Sequence, residues 1–523
     1  MALNSDKSKE LVNLIRDSFR IRENHNPVYV DIGDSLRRLT SHQHQVVFGR
    51  RGSGKSCLFV HFLRRVEGGP HEAVYVGIDS IKRLPFPDIL TRILISIFEQ
   101  LPGAKRPWWR VWARRSRVEL SLKQFRVLLD AAITSDVERV DKSSSKTTVG
   151  IGAKGPADVA LGGETSSSTD TKENFRRDKL EYLERHLEDY KRAIREALPT
   201  EATALFVLVD DFYLIKREAQ PDVVDYLHRL LRGTNAYLKV GTIRHRTSLR
   251  RHEGQTVGIE LGQDVEEISL DRTFQTFQDT RAYLVAMLDE LARRVGLDNA
   301  SGDLFNPDAA HALTLASGGV PRDFLNIFAD AVNLSVARGK TDKLTPTFVY
   351  KAAAQISLEN KRKNLSEDAG VDAQSLERAF ADVVAFCLKE KKRTGFLVAR
   401  EDAHGMQAEN EILQQMMDFK LVHLIDPDTS AASGRSGRFS AYTLDAALFM
   451  EPRLRNIDIV NFWEVDEQRR PLGIREFPTY PLQRIRNAIG DSGDSDKLSE
   501  VLEDLETDKI QTEGESIVSA GGG

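Results

Sequence analysis

The sequence predicts an α/β fold: a parallel sheet with helices on both faces, then an all-α lid, then a C-terminal winged-helix domain. Three observations predict it. Val46-Val47-Phe48 and Ala204–Val209 are unbroken apolar runs, the pattern of strands buried on both faces of a parallel sheet. Segments with helical apolar spacing alternate with such runs, which is the order of βαβ units. From residue 374 onward, helix, strand, helix, strand, Ser/Gly loop and strand follow one another, the cadence of a winged helix.

Composition bounds the rest. A chain of 523 residues has room for about three or four domains. Its 41% apolar content supports real cores, and its 29% charged content suits a protein in water. A net charge of −4 excludes a protein that coats nucleic acid by bulk charge, although local basic patches stay open. Cys57 and Cys387 lie far apart, which excludes a disulfide framework and a cysteine-rich zinc site. They fit a reducing cytosol, so the expected location is cytoplasmic. Met1–Glu10 is polar, so no secretory signal is expected from this stretch. No apolar run reaches the ~20 residues that span a bilayer.

Taken in order, Leu11–Ile21 has helical spacing at Leu11, Leu14, Ile15 and Phe19. A second short helix is expected at Ser35–Leu39. The strand Gln45–Phe48 then runs into Gly49-Arg50-Arg51-Gly52-Ser53-Gly54-Lys55-Ser56. This fills every fixed position of the phosphate-binding pattern G-x-x-x-x-G-K-[ST]. Glycines at 49, 52 and 54 let the backbone turn without Cβ clashes. The amides of Gly49–Cys57 are then placed to cradle a polyphosphate at the start of a helix beginning near Cys57. Lys55 is the candidate for the β- and γ-phosphates and Ser56 for a Mg²⁺ position. The core expected here is that of an α/β P-loop NTPase, with ATP and Mg²⁺ as ligands.

Ala73–Ile78 reads as the next core strand and Asp88–Gln100 as an apolar helix. Lys105–Arg117 then holds three of the four tryptophans among six basic residues and no acid. Two readings stay open: a nucleic-acid or membrane-surface patch, or tryptophans anchoring a hairpin while arginines face water. Thr134–Thr171 turns Ser/Gly-rich and reads as a flexible insertion or a weakly pinned hairpin. Glu173–Leu198 is expected as one charged helix with a narrow stripe at Leu180, Leu183, Leu187, Tyr190 and Ile194.

Ala204–Asp211 ends in two carboxylates at the strand edge where α/β sheets place ligands. Asp210 is the candidate Mg²⁺ ligand and Asp211 the candidate base or water-positioning group. Asp222–Arg232 is expected as a helix ending in Arg229 and Arg232, and Leu238–Arg244 as a strand ending at Thr242-Ile243-Arg244. Val257, Ile259 and Leu261 alternate and are expected to form the last core strand. Ser317-Gly318-Gly319-Val320-Pro321-Arg322 opens a helix, with Pro321 suited to its first turn.

These motifs carry a resemblance. The chain resembles the AAA+ and STAND branch of P-loop ATPases, nearest the origin-recognition/initiator-like ATPases, over about residues 20–450. The resemblance implies that Asp210-Asp211 is a Walker B pair. It implies that Arg244 ends a sensor-1 strand and that Arg322 is the sensor-2 arginine of a helical lid. Hydrolytic AAA+ proteins usually have Asp-Glu at the Walker B strand; Asp-Asp is common in STAND switches and implies slow hydrolysis. An arginine near Arg229 or Arg232 serves as a trans-acting finger in AAA+ assemblies, which implies a nucleotide-dependent homo-oligomer.

The expected organisation is N-terminal helices at 1–40, an ATPase core at 41–265 with an insertion at about 103–198, a lid at 266–362, a winged helix at 370–455, and an extension with an acidic tail at 456–523. A winged helix usually reads DNA through its second or third helix, yet Gln407–Asp418 has three acids and no base. That leaves duplex DNA contacted through Lys105–Arg117 and the wing arginines Arg435 and Arg438, or a protein partner on the winged helix. The corresponding functions are an initiator-like ATP switch or a STAND-like signalling or defence regulator that binds protein.

Overall fold

The computed structural model describes residues 3–18, 29–31, 34–104, 116–144, 177–200, 203–357, 373–432, 436–450, 457–467 and 470–490. In chain order the first elements are α1 (Asp6–Ser18), α2 (Ser35–Leu39), β1 (Gln45–Phe48), α3 (Lys55–Val66), β2 (Glu72–Gly77), α4 (Asp88–Gln100) and α5 (Arg117–Ser144). They are followed by α6 (177–185), α7 (Leu187–Ala197), β3 (Leu205–Asp210), α8 (Gln220–Leu231), β4 (Ala236–Thr242), β5 (Arg250–Glu253), β6 (Gln255–Gly258) and β7 (Glu266–Ser269). Then come α9 (Phe277–Arg293), α10 (Ala300–Leu304), α11 (Pro307–Ala316), α12 (Pro321–Ala337) and α13 (Pro346–Ala352). The last are α14 (Ala373–Val384), β8 (Gly395–Ala399), α15 (Arg400–Gly405), α16 (Gln407–Asp418), β9 (Val422–Thr429), β10 (Phe439–Leu444) and α17 (Gln483–Gly490).

The chain divides into two compact units. One comprises residues 34–48 and 58–269 and holds a five-stranded parallel sheet in the order β2-β3-β4-β1-β7. β3 is buried at every position, as its unbroken apolar run requires of a strand covered on both faces. Helices bury their apolar stripes on this sheet through Ile93, Phe98, Tyr190, Ile194, Leu227 and Leu230. Because every strand is parallel, the C-terminal ends of β1, β3 and β4 share one edge, with β4 between the other two.

The second unit comprises residues 1–33, 49–57 and 270–523. One of its cores joins α1 to the helices of the lid through Leu11, Ile15, Leu284, Leu288, Phe324 and Phe328. The other belongs to the winged helix, whose sheet runs β8-β10-β9 with both pairings antiparallel. Phe462, Phe477, Tyr480 and Ile485 pack into that core, so the extension beyond residue 456 completes the domain.

Several expectations need correction. The fifth core strand is Glu266–Ser269, whereas Val257 lies in the separate hairpin β5–β6. The true strand is masked in the sequence by two glutamates; Glu266 is satisfied by the Arg38 guanidinium and the Gln45 amide at 2.7 Å each. Thr134–Ser144 continues α5 instead of opening the Ser/Gly-rich insertion. Glu173–Leu198 is not one helix over its described part, because His186 separates α6 from α7. The rest of the insertion, Lys105–Arg115, Arg435, the linker before α14 and the acidic tail lie outside the described residues.

Candidate nucleotide site

The loop Gly49–Gly54 separates β1 from α3, which begins at Lys55. Three glycines make its path. Gly52 and Gly54 sit at φ 90° and 102°, a region that side-chain-bearing residues rarely enter. A Cβ on Gly49 would collide with Ser53 Oγ, and one on Gly52 would lie 2.9 Å from Arg322 Cβ. The loop is held from outside by Arg50. Its amide donates to Asp271 Oδ1 at 2.7 Å, and its guanidinium donates to the carbonyls of Arg272 at 2.7 Å and Gly318 at 3.2 Å. The buried Lys55 ammonium donates to Gly49 O at 2.7 Å and Arg50 O at 3.3 Å, so it lies within the loop's own curve.

This loop fits a polyphosphate. Ser53 Oγ is buried without a hydrogen-bond partner, and burying a hydroxyl unsatisfied costs about 1–3 kcal/mol. The start of the 12-residue helix α3 adds amides and partial positive charge. Ser56 is half-buried at its first turn and Arg51 is exposed. Cys57 is half-buried and its thiol is pushed up to about 11 by burial, which makes it an inert wall residue.

Arg322 lies beside the loop at the start of α12. Its amide donates to Gly52 O at 3.3 Å, and a Cβ on Gly52 would lie 3.5 Å from Arg322 Cδ. The sequence-predicted sensor-2 residue is therefore in direct contact with the P-loop. Arg50 was expected as part of the phosphate loop, but its role as a staple was not, and its partner Asp271 was missed by sequence reasoning. The available signal was the x position of the motif beside an acid two residues beyond the last core strand.

In the sheet unit, Asp210 ends β3 and is buried. Its Oδ2 accepts from the Tyr75 hydroxyl at 3.0 Å and its Oδ1 from the Asp211 amide at 2.9 Å. Burial and the adjacent carboxylate push the Tyr75 phenol well above its ordinary range, so it stays a donor. Each oxygen retains a further lone pair, which fits a cation ligand. Tyr75 was another residue missed by the motif search, since it sits on the neighbouring strand β2 in register with Leu208. Gly241 on β4 is required here: a Cβ would lie 2.8 Å from Asp210 Oδ1 and 2.9 Å from Phe59 Cε2.

Asp211 adopts φ 55°, which asparagine and aspartate tolerate better than other side-chain-bearing residues. The strand ends there, and the Asp211 carbonyl accepts from Leu214 N at 2.9 Å. Arg244 lies just past β4 in a 3₁₀ turn, paired with Glu267 and set 4.1 Å from the centroid of the Phe48 ring. Arg229 is engaged by Glu184 at 2.6 and 2.8 Å and by Asp225 at 2.7 Å, a network that holds it within its own unit.

No protein-family model matches the chain. No curated protein matches it. Among solved structures, it is similar to Drosophila ORC bound to DNA, with 11% identity over 84% of this chain and 90% of that one and a TM-score of 0.36. It is similar to Cdc6p from Pyrobaculum aerophilum, with 11% identity, coverage of 94% and 98%, and a TM-score of 0.33. A Walker-type ATPase of Pyrococcus abyssi gives 10% identity, coverage of 82% and 98%, and a TM-score of 0.38. These are remote likenesses, and the chemistry of the site stands on its own geometry.

Proposed function

We propose that the chain is an ATP-binding switch of the AAA+ type that hydrolyses ATP slowly, its nucleotide state governing assembly and the binding of a macromolecular partner. The observation that carries this reading is the cradle itself: glycines at positions where a Cβ collides or φ is positive, the enclosed Lys55 ammonium, and the partnerless buried Ser53 hydroxyl. Loop amides and Lys55 bind the phosphates, and Arg322 lies where it can read them. Ser56 offers a hydroxyl and Asp210, in the sheet unit, a carboxylate as candidate Mg²⁺ ligands; the ion would neutralise phosphate charge when bound. Asp211 orients the attacking water. Tyr75 fixes the Asp210 carboxylate without competing for a proton.

The identity of the partner is weighted by four ion pairs. Arg438 and Arg400 both bond to Asp428 Oδ1, at 2.8 and 2.9 Å, and this holds the Asp428 carboxyl down at about 2. Arg438, the wing's described arginine, thus already has an acid partner. Glu409 on α16 is buried and paired with Arg486, so it is a structural acid and not the phosphate-repelling surface charge expected from the sequence. Arg117 pairs with Glu196 at 2.8 Å. These pairings favour a protein partner on the winged helix over duplex DNA.

The test is titration of a fluorescent ATP analogue with Mg²⁺ against wild type and Lys55→Ala, followed by duplex DNA titration at several salt concentrations. Saturable binding lost in the variant supports the nucleotide reading; equal binding by both sinks it. A steep salt dependence of DNA binding would restore DNA as the partner.

A further inference from the structure

The winged helix grips the same turn that the P-loop grips. Gly318, at φ 59°, belongs to the turn before α12, and its carbonyl accepts from Arg50 of the P-loop. On its other side a Cβ would run into the His423 ring of β9. His423 is fixed by Asp445 Oδ2 at 2.8 Å, both residues being buried, and Asp445 Oδ1 in turn accepts from the Ala447 amide at 3.1 Å. Phe274 packs against the same imidazole, with ring centroids 5.1 Å apart.

A second grip lies one turn further on. Lys420 occupies a left-handed position, φ 64°, between α16 and β9, and its ammonium bonds Asp323 Oδ2 at 2.8 Å. The two side chains are only 13% and 16% exposed, so this pair is shielded from solvent and salt as surface pairs are not. Asp323 adjoins Arg322, whose amide bonds Gly52 O. The start of α12 is thus held on one side by the P-loop and on the other by the winged helix.

We propose that Lys420 and His423 are positioning residues for the phosphate site: they set the 317–323 segment against the P-loop, and a partner that shifts the winged helix thereby changes ATP affinity. Coupling of this kind is reciprocal, so bound ATP changes partner affinity by the same factor. This rests on the nucleotide reading above and names its regulator. Lys420 and His423 need touch no phosphate; they act through Arg322 and the Gly318 carbonyl that Arg50 holds.

The experiment uses the full chain and compares wild type, Lys420→Met and Lys420→Arg. Titrations with fluorescent ATP and ADP analogues give the ATP-over-ADP preference, and hydrogen exchange follows the amides of residues 317–323. Lys420→Met should lower the preference about fivefold, within the usual span of such couplings, and speed exchange in that segment. Lys420→Arg should keep both near wild type. If Lys420→Met does not fold, Asp323→Asn supplies the same comparison, because it keeps the shape and removes the charge. Unchanged preference and unchanged exchange in the methionine variant would overturn the positioning role while leaving nucleotide binding intact. A wild-type chain that binds no ATP would instead overturn the nucleotide reading.

Discussion

Asp211 shows what one residue can and cannot reveal from sequence. The pair Asp210-Asp211 was legible as the end of a buried strand, because an apolar run that stops at two acids has few other uses. What the letters do not carry is the left-handed φ of 55° at the second acid, which ends β3 and frees Asp211 from strand alternation. Asparagine accepts that conformation as readily, so Asp211→Asn should leave the fold and ATP binding intact while reducing hydrolysis at least about a hundredfold, as loss of a catalytic base does. Single-turnover hydrolysis beside equilibrium binding is the measurement, and unchanged turnover would remove Asp211 from the mechanism. Lys55→Ala removes the ammonium that bonds Gly49 O and Arg50 O and that would face the phosphates. ATP affinity should fall roughly ten- to a hundredfold, the worth of one or two charge-assisted bonds, with circular dichroism unchanged. Arg50, by contrast, occupied a variable position of the motif, and its three bonds to residues more than two hundred positions away could not be read from spacing.

Local elements were the most legible. The order strand, Gly-rich loop, helix at 45–66 follows from short-range chemistry: an apolar run, glycines where φ is positive, and a helical stripe of Leu58, Phe59 and Phe62 that is buried. The fifth strand was not legible, because tertiary partners for Glu266 replace the apolar pattern a core strand normally displays. β4 carries a second hidden feature. Lys239 sits within an otherwise apolar strand and is fully buried, with its Nζ bonded to Ser41 O and Gln43 O at 2.8 Å and to Gln45 Oε1 at 2.6 Å. Burial pulls its pKa down to about 7, while three acceptors match the three protons of an ammonium. Lys239→Met should therefore destabilise the sheet unit by about 1–3 kcal/mol, since it leaves the buried Gln45 Oε1 and two partly buried carbonyls without this donor. Urea denaturation at neutral pH measures this, and a variant as stable as wild type would show that the lysine is only a filler.

At the scale of the whole molecule, histidine protonation links the N-terminal edge of the sheet to pH. His44 Nδ1 accepts from the Leu238 amide at 3.0 Å, which requires that nitrogen to be unprotonated. Burial, with His228 next, holds the His44 pKa at about 4 instead of the usual 6.5. His228, set edge-on to His44 at 4.7 Å, and His42, stacked on Tyr237 at 5.1 Å, are shifted the same way, in both cases chiefly by burial. In the lid, burial and Arg281 bring His311 to about 4 as well. Between pH 6.5 and 4 the unfolded chain takes up protons at His44 and His311 and the folded chain does not. Stability is therefore present above pH 6.5 and drains away as pH falls towards 4. For His44 alone the loss approaches roughly 2–3 kcal/mol, after allowance for partial solvent access. Asparagine can offer an uncharged oxygen to the Leu238 amide, so His44→Asn should cost some stability at pH 7.5 yet lose less than wild type on going to pH 5. Denaturant melts followed by a probe in the sheet unit at both pH values provide the comparison. A variant whose stability falls as steeply as that of wild type would assign the acid sensitivity to carboxylates elsewhere.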